Sequence, residues 1–124
     1  MATIKSYTDI SQSKRLAEIL PIESADGYWD FQIDGYNLIA DKLGYYKNDS
    51  EIPCWSLAAL RACLPPGISI DGILYVFESH NTFDNMWVYE YKFEDISAPL
   101  YSKSSNEIDA CSELISKLNE LKML

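Results

Sequence analysis

The sequence predicts an α+β fold: one antiparallel sheet of about four to five short strands with three helices, one of them largely buried. Three observations lead there. Two stretches rich in aromatic and β-branched residues are broken by turn residues and read as hairpins. Two amphipathic stretches with capping residues stand near the two ends. Between them, residues 52–66 form a proline-fenced helix in which only Ser56 and Arg61 are polar between Trp55 and Leu64. A helix apolar nearly all round belongs in a core. At 124 residues the chain suits one domain spanning residues 1–124, and 48% hydrophobic residues allow a core without covalent staples. Order is expected throughout, except in residues 1–7 and the loops.

Taken in order, Thr8 or Asp9 caps the first helix with Gln12 following, and Ile10, Leu16, Ala17, Ile19 and Leu20 are its apolar positions. Pro21 stops it, because the residue before a proline is pushed out of helical geometry. In residues 28–40, Trp29, Phe31 and Ile33 alternate with polar neighbours, and Asp34-Gly35 is a type I′ turn dipeptide. Residues 41–52, with Gly44 and Asn48-Asp49-Ser50, read as a loop leading to the proline-fenced helix, which Pro65-Pro66-Gly67 ends.

Ile68 to Ile70 is a short strand that turns at Asp71-Gly72 into a strand over residues 73–79. A polar bend, residues 80–85, feeds the next strand at 86–93. In that strand Trp87, Tyr89 and Tyr91 share one face, while Met86, Val88, Glu90 and Lys92 share the other. After a loop at Pro99, Ser104 with Glu107, or Asn106 with Asp109, opens the last helix. Ile108, Cys111, Leu114, Ile115, Leu118 and Leu121 form its apolar stripe, and Glu113 and Lys117 stand four apart in the favourable order.

A net charge of −9 argues against direct nucleic-acid binding, which needs clustered Lys and Arg to displace counterions. The acidity reads first as a solubility feature. An acidic mimic that blocks a nucleic-acid-binding protein is the alternative, and it would need rows of carboxylates where the sequence has no dense acidic run. No apolar stretch approaches the ~20 residues of a membrane span, and the N-terminus lacks the apolar run of a signal peptide, so the expected location is cytoplasmic. Cys54, Cys63 and Cys111 have no CxxC spacing and read as buried thiols in a reducing compartment.

Chemistry is hard to find in this chain. His80 is the single histidine, and it falls in the expected bend. A small hydrolase pairing it with Cys54 or Cys63 is a remote alternative, since Cys54 flanks the apolar helix and Cys63 lies inside it. Asp26, Asp30 and Asp34 recur every fourth residue, but two of them precede glycine and read as turns, so no metal is expected. Phosphate-cradling glycine motifs are missing, and the expectation is a non-enzyme without cofactor. Nine Tyr, three Trp and four Phe exceed what one small core needs. The Trp87-Tyr89-Tyr91 face is therefore the expected protein contact, with a partner protein or with a second copy in a homodimer.

Pro53-Cys54-Trp55-Ser56-Leu57-Ala58-Ala59-Leu60, followed by Leu64-Pro65, resembles a P-x-W-S-L-x-x-L…LP signature. Asn106-Glu107-Ile108-Asp109-Ala110-Cys111, followed by Lys117-Leu118 and a Leu121-Lys122-Met123-Leu124 ending, resembles an N-x-x-D-A-C…KL…L tail. Both resemble a family of small uncharacterised proteins of anaerobic gut bacteria and their prophages or other mobile elements. Cys54 stands where that pattern favours a small Ala-like residue, and Glu107 where it favours Pro. The resemblance implies an intracellular accessory protein with no assigned activity and no catalytic residues to carry over. Together these readings lead to an acidic protein-interaction module encoded by a phage or mobile element.

Overall fold

The computed structural model describes residues 5–32, 35–39 and 51–124. The fold is α+β, with three helices and seven strands among the described residues, and every strand pairing is antiparallel. The strands are divided between a three-stranded and a four-stranded sheet rather than gathered into one. Backbone contacts group the chain into two compact units, Met1–Cys63 and Leu64–Leu124. No helix among the described residues is long and apolar enough to cross a membrane.

In the first unit, α1 (Ile10–Ala17) begins at Asp9, whose carboxylate accepts from the Gln12 amide at 2.8 Å while the Gln12 side chain reaches back to the Asp9 amide at 3.1 Å. Two orphan donors of the helix end are thereby satisfied at once. Lys5 adds a 2.7 Å bond to Gln12 and a 3.2 Å ion pair with Asp9. Leu16 and Leu20 are buried, and after Pro21 the chain makes one 3-10 turn, Ile22–Ser24.

The sheet of this unit runs β2–β1–β3. β1 (Gly27–Gln32) and β2 (Gly35–Ile39) form the expected hairpin, with Gln32 opposite Gly35. Gly35 (φ +116°) is thus the first strand residue rather than part of the turn; Asp34 and residues 40–50 lie outside the described residues. β3 (Glu51–Cys54) lies where a loop and the start of a helix were expected. It tolerates Pro53 because it is an edge strand, where a missing N–H need not break a ladder. Gly27 has no room for a side chain, since a Cβ would sit 2.9 Å from Tyr7 Cε1 and 3.0 Å from Cys54 Sγ.

A buried hydrogen-bond cluster ties α1 to this sheet. The Thr8 amide donates to the Trp55 carbonyl at 3.0 Å, and the Trp55 amide donates to Thr8 Oγ1 at 3.1 Å. Trp29 Nε1 donates to the Thr8 carbonyl at 3.0 Å, and the Thr8 and Ser13 hydroxyls stand 2.8 Å apart. Trp55, wholly buried, lies just before the helix and donates its indole N–H to Ser24 Oγ at 2.9 Å.

α2 (Leu57–Cys63) starts at Ser56, whose oxygen accepts from the Ala59 amide at 3.2 Å. The Ser56 amide donates to Asp26 Oδ1 at 2.8 Å, and its hydroxyl donates to the second Asp26 oxygen. The expectation that this would be the most buried helix is corrected here. Leu60 is fully buried, but Ala58, Arg61 and Ala62 face solvent. Its apolar character is largely alanine, which carries too little surface to demand burial. The most buried helix is α3 (Glu107–Glu120), which conceals Ile108, Ala110, Cys111, Ser112, Leu114, Ile115 and Leu118.

In the second unit the order is β4–β5–β6–β7. β4 (Gly67–Ile70) turns into β5 (Ile73–Asn81) through Asp71 (φ +52°) and Gly72 (φ +81°), two left-handed residues as a type I′ turn requires. β6 (Trp87–Phe93) and β7 (Ile96–Ser104) follow, and β7 occupies the stretch expected to be a loop at Pro99. β7 is again an edge. Between the pairs Glu90–Tyr101 and Lys92–Ser97, β6 advances two residues while β7 advances four, so Pro99 sits in a bulge. α3 opens at Asn106, which accepts from the Asp109 amide at 2.8 Å, and it packs on β6 and β7.

Leu60→Ala is expected to cost roughly 2–5 kcal/mol, against about half a kcal/mol or less for Ala62→Ser on the exposed side of the same helix. Thr8→Val, which keeps the shape but removes the hydroxyl, is expected to cost roughly 1–3 kcal/mol by leaving the Trp55 amide unpaired. Urea unfolding of the three variants measures both; equal midpoints for Leu60→Ala and Ala62→Ser would overturn the assignment of the buried face.

Candidate functional site

The Trp87-Tyr89-Tyr91 row lies on the face of the four-stranded sheet that α3 covers. Tyr89 and Tyr91 have 0% exposure, and Trp87 is half-buried. Tyr89 donates its hydroxyl proton to Glu107 Oε1 in the first turn of α3 at 2.7 Å, and Tyr91 donates to the Pro65 carbonyl at 2.8 Å. Phe77 meets both rings edge-on, with centroids 5.4 and 5.7 Å away. Beside them the Ser102 hydroxyl donates to the Ala110 carbonyl, fastening β7 to α3. The contact expected from the sequence is corrected accordingly: Tyr89 and Tyr91 are core residues with no surface to offer. The rows of a strand are legible in sequence, but which row a helix covers is decided by packing.

His80 is the next candidate, and it is not in a bend. It belongs to β5, paired with Val88, on the sheet face opposite Tyr89 and Tyr91. Its Nδ1 stands 3.5 Å from Oε2 of Glu90, which is only 6% exposed and also accepts from the Ser97 hydroxyl at 2.5 Å. The ring therefore faces a carboxylate rather than a thiol. Cys111 lies within the buried stripe of α3, on the other side of this sheet.

Cys54 is fully buried beside Gly27 and Tyr7, and Cys63 is half-exposed at the end of α2. Burial, reinforced by the Asp26 charge, pushes the Cys54 thiol up to about 12. Such a thiol holds its proton at neutral pH and makes a poor nucleophile. Tyr7 is raised too, first by burial and then by Asp26 and Cys54. Asp26 spends its two oxygens on Ser56, and Asp30 faces Asn37 on one side and Glu51 on the other across the sheet. Glu51 Oε2 is buried without a hydrogen-bond partner; burial and then Asp30 raise its pKa. No group of three or more His, Cys, Asp or Glu among the described residues is placed to hold a metal.

One exposed feature remains that the sequence reading passed over as part of a polar bend. Phe83 is wholly exposed at the tip between β5 and β6. The turn beneath it is tightly specified. The Thr82 amide donates to the Met86 carbonyl at 2.7 Å, the Met86 amide donates to Thr82 Oγ1 at 3.1 Å, and the Asn85 amide donates to the Thr82 carbonyl at 3.0 Å. Asn85 takes the left-handed conformation (φ +62°), which asparagine tolerates better than most residues. The Thr82 hydroxyl donates to Asp84, which lowers that carboxyl's pKa, and Lys103 of β7 stands 3.7 Å from the same carboxylate. The signal for Phe83 was in the sequence: a large aromatic among turn residues, where no turn chemistry calls for one.

No family model, curated protein or solved structure matches this chain.

Thiol labelling at pH 8 is expected to modify Cys63 first, with Cys54 and Cys111 reacting only on unfolding; mass mapping of the labelled peptides reads this directly. The raised thiol also implies alkaline lability. The unfolded chain releases the Cys54 proton near its ordinary value of 9.0, while the folded chain keeps it to about 12. The contribution of Cys54 to stability is therefore fully present below about pH 9 and is lost as pH rises from there towards 12. Tyr91, raised by burial and then by Cys111, acts in the same direction. Urea midpoints at pH 7 and pH 10 are expected to fall with pH, and less steeply in Cys54→Ala; an unchanged slope would refute the linkage to Cys54.

Proposed function

We propose that this chain is a non-enzymatic, acidic protein-interaction module that contacts its partner through the β5–β6 turn. Phe83 carries the reading. An aromatic ring wholly exposed to solvent adds little to the fold, yet it offers a large apolar area at the tip of a well-specified turn. Aromatic anchors of this kind dominate binding energy at interfaces, and burying one contributes about 1.5–3 kcal/mol. The hydrogen bonds under the turn and the Lys103–Asp84 pair hold the ring's backbone in place beforehand, so less ordering has to occur on binding. The complementary surface is an apolar pocket on a protein whose rim is basic, because the chain brings a net charge of −9 and an exposed Asp84 beside the ring. The resemblance of the Pro53–Leu60 and Asn106–Cys111 segments to proteins of prophages and mobile elements supports an accessory role in that setting.

The test compares the native chain with Phe83→Ser, immobilised and exposed to the same lysate. Phe83→Ser is expected to unfold within about half a kcal/mol of the native chain, since the ring is wholly exposed. Its capture of the protein retained by the native chain is expected to fall at least tenfold, and that native capture to weaken as salt rises. Equal capture by both chains would overturn the proposal. Light scattering of the native chain, with Phe83→Ser beside it, shows whether the partner is a second copy.

A further inference from the structure

We draw no further inference here: the strongest candidate, the patch of Leu74 and Val76 exposed on the face of the four-stranded sheet turned away from α3, is an unpartnered apolar face and nothing in the structure shows what covers it.

Discussion

Two reciprocal hydrogen bonds between Thr8 and Trp55 hold the first unit together. They act as one rung of antiparallel ladder, except that a threonine hydroxyl replaces one of the two carbonyls. With that rung in place, the cap at Asp9 is set beside the sheet, α1 lies on β3, and Ser13 reaches the Thr8 hydroxyl. Burial makes the arrangement compelling. Thr8 and Trp55 are shut away from water, so each backbone group there must find a partner or bear a desolvation cost of ~1–3 kcal/mol. The indole N–H groups of Trp29 and Trp55 are satisfied in the same neighbourhood, by the Thr8 carbonyl and by Ser24.

The second unit meets the same demand with tyrosines. Tyr89 and Tyr91 bury their rings against Phe77 while their hydroxyls reach Glu107 and the Pro65 carbonyl. Each ring thus adds apolar area and also positions a neighbouring element, the start of α3 or the approach to β4. The outer edge of β7 is guarded as well. Pro99 offers no N–H, and Lys117 donates to the Tyr101 carbonyl at 2.6 Å, which discourages pairing with another strand. A scaffold so fastened can hold the β5–β6 turn still, and this rigidity connects the fold to the proposed contact at Phe83.

Much of the local structure was legible from residues. The Asp9 and Asn106 caps, the Asp71-Gly72 turn and the Glu113–Lys117 pair, 3.4 Å apart, depend on chemistry within a few residues of chain. Two strands were hidden by their prolines. Pro53 and Pro99 argue against a strand only where both edges are paired, and both lie at sheet edges, a fact of topology that the local sequence does not contain. α2 is less buried than its apolar pattern suggests because alanine counts as apolar in a pattern while contributing little area. His80 lies in a strand rather than a bend because β5 continues two residues past the expected end at Ser79, through His80 and Asn81.

The sequence by itself determined the α+β class, the antiparallel pairing of its hairpins, the helix caps and the face periodicity of the hairpin strands. All of these follow from short-range backbone chemistry and from the two periods at which side chains repeat. The tertiary structure alone decided which face was covered. Laying α3 over the Tyr89–Tyr91 row turned the expected contact into core and left Phe83 exposed at a turn. Alternation tells that a strand has two unlike faces, but which one is removed from water depends on where a distant helix comes to rest.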